Sequence, residues 1–220
     1  VSATQLIQLG DASCTLAGGA ECMSRGQYWI PGLRFGQRMG DAQVVDAMVG
    51  ALTDPFDDCH MGITAENVAE RWDISREDQD ALAVESQQRA ARAIEAGYFK
   101  DQIVPIEIKK KREMVPFDTD EHVRPGTTAE SLGKLRPVFK KDGTVTACNA
   151  SGINDAAAAV LLMSAEKAQE LGLTPLVRIK AFAAGGLDPA YMGLGPIPAV
   201  RKVLAATGMT IDDIDMIELN

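Results

Sequence analysis

The stretch Ala156-Ala157-Ala158-Ala159-Val160-Leu161-Leu162-Met163 leads into Ser164, a helical pattern that Gly172 ends, and then Val177-Arg178-Ile179-Lys180-Ala181-Phe182. By period alone the unbroken apolar run suits a buried strand or a buried helix. Read as a strand, it begins a β-α-β alternation, with Ser164 capping the helix and 177–182 as the next strand, and this places the chain in the α/β class.

Downstream, Val200, Val203, Leu204 and Thr207 fall at i, i+3, i+4 and i+7 with Gly208 after them, the pattern of a last helix. Ile214-Asp215-Met216-Ile217-Glu218-Leu219 reads as a strand, one residue before the chain stops at Asn220. At the other end, Val1 to Leu9 reads as the body of a helix without a start signal. Cys14-Thr15-Leu16-Ala17 is a buried-strand candidate ending at the breaker pair Gly18-Gly19. Both termini therefore read as cut.

Between these outer parts the pattern changes. From Met23 to about Met61 the chain is rich in Gly, Pro, Met and aromatic residues, with sustained period only around 42–52, so it reads as a long excursion holding one short helix. Thr64 is a candidate N-cap for a helix through Ala69, with Glu66 near the positive end of its dipole. The strongest helix signal follows. Ser75 and Asp78 form a capping pair, Leu82, Ala83, Ala90, Ala93 and Ile94 make an apolar stripe, and Gly97 stands where a left-handed C-terminal residue belongs. Ile103 to Ile108 alternates around Pro105, as an edge strand does. Residues 117–142 are polar and punctuated by Pro and Gly, which indicates ordered loops with one helical turn near 129–132.

Composition bounds the function. The 220 residues are 46% hydrophobic and 24% charged, as in a globular protein. The net charge of -9 argues against nucleic-acid binding, which needs a basic surface to displace counterions. The cysteines, Cys14, Cys22, Cys59 and Cys148, include no CxxC pair, so they read as reduced thiols, and no metal site is expected. No apolar run approaches the ~20 residues that would cross a bilayer, so no membrane partner is expected.

Five strings then carry a resemblance. They are Ala17-Gly18-Gly19-Ala20-Glu21-Cys22-Met23-Ser24, His60-Met61-Gly62-Ile63-Thr64-Ala65-Glu66-Asn67-Val68-Ala69 and Lys134-Leu135-Arg136-Pro137-Val138-Phe139, followed by Asn149-Ala150-Ser151-Gly152-Ile153-Asn154-Asp155 and Met192-Gly193-Leu194-Gly195-Pro196-Ile197-Pro198-Ala199. In order and spacing the chain resembles the thiolases over nearly its whole length. The resemblance implies an α/β thiolase fold, two layered αβαβα core halves with an inserted loop domain, of which only part is present. Residues 1–22 and 154–175 would belong to the N-terminal core half, 23–153 to a loop domain covering coenzyme A, and 176–220 to the beginning of the C-terminal half.

It also implies the activity: acyl transfer between an active-site cysteine and coenzyme A or acyl-CoA, forming or cleaving acetoacetyl-CoA or 3-ketoacyl-CoA in fatty acid metabolism. Thioester exchange through cysteine keeps the acyl group activated, and an enolate must be met by preorganised donors. In the family the nucleophile lies upstream of the strand matching 14–17, and the second cysteine and the HPxG histidine lie downstream of Asn220. These residues alone would then be inactive. Asn220 matches the first residue of the Asn-Glu-Ala-Phe motif that holds a catalytic water.

By the same resemblance Arg124, Ser131, Leu135, Phe139, Ala147 and Ser151 would contact coenzyme A, with Arg124 at the nucleotide end and Ser151 on the pantetheine arm. His60, Met61 and Met192 would lie near the pantetheine and acyl end. Apolar walls with a few polar anchors suit a long, half-polar ligand. Coenzyme A and acyl-CoA are substrates, and no permanently bound cofactor is implied. A cytoplasmic homodimer or homotetramer is implied, or an organelle-matrix one in a eukaryote, with the excursion 28–51 pairing dimers. The alternative is a non-catalytic thiolase-like protein that binds coenzyme A or lipid.

Plainer readings compete at several positions. His60 beside Cys59 invites a Cys/His dyad, but sequence neighbours rarely face each other, so His60 reads as structural or substrate-contacting. His122 reads as a surface residue and Lys109-Lys110-Lys111-Arg112 as a solvated turn. Cys148 stands where many thiolases have glycine and reads as a small space-filling hydrophobe. Gly18-Gly19 and 193–196 lack the GxGxxG pattern and read as close-approach turns.

Overall fold

The computed structural model describes residues 1–220, which divide into two compact units, 1–59 with 153–220, and 60–152. In chain order the regular elements are α1 (Ser2–Gln8), β1 (Cys14–Cys22), β2 (Tyr28–Trp29), β3 (Val45–Asp46), α2 (Ala47–Ala51), β4 (Thr53–Asp54), β5 (Cys59–His60), α3 (Met61–Arg71) and α4 (Arg76–Glu95). They continue with β6 (Ile106–Lys110), β7 (Glu113–Phe117), α5 (Ala129–Gly133), β8 (Asp155–Met163), α6 (Ala165–Glu170) and α7 (Pro196–Thr207).

In the unit formed by the chain's outer parts, β1 and β8 pair antiparallel over their full length, from Cys14 opposite Met163 to Cys22 opposite Asp155. The 156–163 run is a strand, as expected. Gly18 and Gly19 do not break β1, because they face Ala159 and Ala158 across the ladder. At Gly18 an added Cβ would lie 2.8 Å from the Ala158 carbonyl oxygen, so the glycine permits close strand approach rather than a turn.

Asp155 anchors the far end of this pair. Its carboxylate accepts from the Ser24 hydroxyl at 2.5 Å, the Ser24 amide at 2.8 Å and the Cys22 thiol at 3.5 Å. The hydroxyl bond from Ser24, followed by the amide bond, holds its carboxyl below the usual carboxylate range. Ser164 caps α6 by accepting from the Lys167 amide, and α7 ends at Gly208, whose φ of +67° only glycine adopts without strain.

Residues 177–182 and 214–219 are not strands. Their composition is that of strands, but no strand pairs with either in a ladder, and side chains such as Val177 and Met216 stand more than four-fifths exposed. A strand exists only as one side of a ladder.

The unit 60–152 is built on α3 and α4. Helix α3 starts three residues before the expected cap Thr64, because the His60 imidazole serves instead: Nδ1 accepts from the Gly62 amide at 3.0 Å. Thr64 is buried in the first turn and donates back to the Met61 carbonyl at 2.6 Å.

Helix α4 carries the expected capping box, Ser75 with Asp78, and its chain exits through Gly97 at φ +75°. The expected apolar stripe is not its buried face. Leu82 is 72% exposed, whereas Asp80 is 5% exposed, because a polar network covers this helix. The strand expected at 103–108 begins at Ile106, just after Pro105, and pairs antiparallel with β7 through a turn at Lys111, whose φ is +60°. No helix in the chain is long and apolar enough to cross a membrane.

Candidate functional site

Most residues that the sequence singles out fall in the unit 60–152: His60, Met61, Arg124, Ser131, Leu135, Phe139, Ala147 and Ser151. Met192 and Asn220 belong to the other unit. Met192 is exposed in the 3-10 segment Pro189–Leu194, and Asn220 is exposed beyond the last regular element.

The stretch from α5 to Ser151 has little regular structure, so its path must be set by contacts with α3 and α4. His60, at the start of α3, stacks on Phe139 with ring centroids 4.6 Å apart and planes 24° from parallel. Gly62, two residues further, lies against the same ring, where any Cβ would collide with it. With Nδ1 accepting from a backbone amide, the neutral imidazole carries its proton on Nε2.

One and a half turns along, the Glu66 carboxylate is 4% exposed and accepts four bonds from the stretch. The Thr144 amide reaches Oε1 at 3.0 Å and Oε2 at 2.9 Å, the Thr144 hydroxyl reaches Oε2 at 3.0 Å, and the Val145 amide reaches Oε1 at 2.8 Å. Amide donors aimed at a buried carboxylate replace its hydration, and such charge-assisted bonds are about twice as strong as neutral ones.

Helix α4 supplies the third hold. Arg76 Nη2 donates to the carbonyls of Leu132 at 2.7 Å and Leu135 at 3.2 Å, while its Nε donates to Asp80 at 2.7 Å. The other Asp80 oxygen accepts from Asn149 Nδ2 at 3.0 Å. Asn149 Nδ2 also donates to the Thr144 carbonyl at 3.0 Å, and its Oδ1 accepts from the Thr146 amide at 2.6 Å. Thr146 is fully buried, so Ala147 is presented on the surface between two fixed neighbours.

The candidates differ in what they can still bond. Ser131 Oγ donates to the Thr128 carbonyl at 2.7 Å and accepts from the Thr128 amide at 3.1 Å, so its proton is spent on the α5 capping box. Ser151 is exposed, and so is Arg124, whose amide is held by Gln87 Oε1 at 2.8 Å and whose guanidinium enters no salt bridge. Leu135 and Phe139 are half-buried.

Two clefts each lie within one unit. One of about 190 Å³ lies among Ile94, Phe99, Ile103 and Asp118, and one of about 510 Å³ among Val45, Val49, Asp54 and Asp58. None of the candidate residues lines either.

Cys59 is no activated nucleophile. Burial, then the carboxylates of Asp54, Asp57 and Asp58, push its thiol up, which opposes the thiolate that covalent catalysis requires. No group of three or more His, Cys, Asp or Glu side chains is placed to hold a metal ion.

Sequence reasoning missed the residues that hold the stretch. In the sequence Glu66 stands out as a helix-dipole partner and as part of a motif string, and Asn149 as part of a motif string. Arg76 and Asp80 were passed over, although their i, i+4 spacing was visible.

Comparison with known proteins identifies the family of the chain. Residues 1–166 match the thiolase N-terminal domain and residues 173–220 the thiolase C-terminal domain. The chain is 55% identical to beta-ketothiolase BktB of Cupriavidus necator over 221 aligned residues, covering 100% of this chain and 56% of that protein. It is also 55% identical to an acetyl-CoA acetyltransferase of Syntrophomonas wolfei, covering 99% of this chain and 56% of that protein. The chain thus spans just over half the length of these curated relatives.

Among solved structures, the Bacillus anthracis acetyl-CoA acetyltransferase matches with a TM-score of 0.93 at 49% identity, over 98% of this chain and 55% of that one. Human mitochondrial 3-ketoacyl-CoA thiolase in complex with CoA matches with a TM-score of 0.90 at 45% identity, over 96% and 53%. With both domain types matched in order and the same backbone path, the chain belongs to the thiolase family.

Proposed function

We propose that this chain is part of an acetyl-CoA C-acyltransferase that moves an acyl group between an active-site cysteine and coenzyme A or acyl-CoA. The observation that carries the reading is the identity, spread over the whole chain, with proteins named beta-ketothiolase and acetyl-CoA acetyltransferase. A fold alone does not set chemistry, but that identity extends over 99% or more of the chain.

In this reading residues 23–153 form the loop domain over coenzyme A, 1–22 with 154–175 part of one core half, and 176–220 the start of the other. Arg124 meets the nucleotide end, where an exposed guanidinium can stack on adenine and answer phosphate charge in a net-acidic chain. Ser131, Leu135, Phe139, Ala147 and Ser151 line the arm, with Ser151 donating to pantetheine. His60, Met61 and Met192 stand toward the acyl end, and Asn220 holds the water of the oxyanion site. No HPxG string occurs in residues 1–220, and the nucleophilic cysteine is assigned to none of their four cysteines. The parent enzyme works in fatty acid metabolism in the cytoplasm as a homodimer or homotetramer.

The test is thiolytic cleavage of acetoacetyl-CoA by the full-length protein. Turnover that requires free coenzyme A supports the enzyme. Coenzyme A binding without turnover supports the non-catalytic binding protein instead, and neither would end both readings. Residues 1–220 alone are expected to give no cleavage above a buffer blank.

A further inference from the structure

Glu66 lies on no ligand-facing position, yet the structure concentrates on it more bonds from the 132–151 stretch than on any other side chain. Its four bonds all come from Thr144 and Val145, and no salt bridge reaches it, since Lys140 pairs with Glu70 at 2.9 Å instead. Gly143 passes so close that any side chain there would strike the Glu66 carboxylate. The backbone is therefore wrapped onto a buried anion by its own amides.

The same helix grips Phe139 through His60 and Gly62. Helix α4 grips the stretch on both sides of that point, through Arg76 to the Leu132 and Leu135 carbonyls and through Asp80 to Asn149. Leu135, Phe139 and Ala147 are thus each within three residues of a fixed contact, although the stretch between them has no ladder or helix of its own.

We propose that Glu66 is the positioning residue of the coenzyme A face. By holding Thr144 and Val145, and with the Arg76–Asp80–Asn149 relay beside it, it sets the spacing of Leu135, Phe139 and Ala147 and hence the affinity for coenzyme A, without touching the ligand or the reacting atoms. The proposal rests on the coenzyme A reading above. Replacing the carboxylate by an amide would set N–H against N–H at Thr144 or Val145, so the bend would relax while the chemistry stayed intact. Loss of binding common to ground and transition states raises KM and leaves kcat in place.

The test uses the full-length enzyme with Glu66→Gln, Asn149→Ala and, as a control in the other unit, Ser164→Ala, which removes the cap of α6. Glu66→Gln and Asn149→Ala are expected to raise KM for coenzyme A roughly tenfold with kcat within about twofold. Ser164→Ala is expected to lower Tm while leaving both constants unchanged.

If the first two variants lower Tm but keep KM within about twofold of wild type, or lower kcat with KM unchanged, the positioning role is overturned. Should Glu66→Gln not yield folded protein, Asn149→Ala alone decides. A wild-type protein that turns over coenzyme A beside indifferent variants removes this inference only. A wild type that neither binds nor turns it over removes the coenzyme A reading as well.

Discussion

The two units bury different things. In 60–152 the buried set is small and mostly polar: Thr64, Glu66, Asp80 and Thr146 stand with Ala69, Leu132 and Val145, and every buried side-chain nitrogen and oxygen has a partner. In the unit of the outer parts, β1 and β8 satisfy each other's backbone over nine residue pairs, yet Leu16 is 75% exposed and Val160 and Leu161 are each 59% exposed. A complete hydrogen-bond ladder is thus no core. Directional bonds shape the 132–151 stretch without much apolar burial, whereas a two-stranded ribbon with bare faces draws little stability from the hydrophobic effect.

Truncating an apolar side chain in each unit should separate them most. In the full-length protein Leu132→Ala, at a side chain 2% exposed, should cost about 3 kcal/mol in urea unfolding, while Leu161→Ala should cost about 1 kcal/mol or less. Equal costs would show that the β8 face is covered in the full-length protein, and the contrast would be confined to these residues. The glycines give the next difference. Gly143→Ala drives a methyl into the Glu66 carboxylate and should cost about 2 kcal/mol. Gly19→Ala, with nothing within 4 Å of the added carbon, should stabilise by about 0.5 kcal/mol through lost chain entropy. A neutral Gly143→Ala would mean that the bend moves freely, against the tight wrap seen here.

The smallest effect is on pH dependence. Asp155 has its carboxyl held down chiefly by the Ser24 hydroxyl and amide, so the folded state takes up a proton less readily than the unfolded one. Its contribution is fully present above the unfolded pKa and is lost as pH falls through the folded one. Asp155→Asn should therefore flatten the fall of Tm as pH drops below the ordinary aspartate range, and an unchanged acid limb would remove Asp155 as its source. The exposed Glu70–Lys140 pair of the other unit, by contrast, should fade with added salt.

Legibility followed sequence distance. The capping box of Ser75 and Asp78 and the left-handed exit at Gly97 were readable because each is settled within a few residues. The hairpin partner β7 went unread, because Glu113 to Phe117 gains strand character only by facing Ile106 to Lys110. Strands at 177–182 and 214–219 were expected from period, but a period names a face and supplies no neighbour. At the candidate site the motif strings marked out His60, Phe139 and Ser151 by resemblance. The groups that hold them stayed hidden, since Glu66 and Thr144 lie 78 positions apart.

The sequence by itself determined the family, the α/β class, the starts of α4 and α6 and the end of α7, because capping chemistry and motif order are written in adjacent residues. Only the tertiary structure decided that Gly18 serves close strand approach, that His60 and not Thr64 begins α3, and that two buried carboxylates shape the 132–151 stretch. The reason is that a buried charge is tolerated only where distant backbone donors converge on it, and that convergence exists only once the chain has folded.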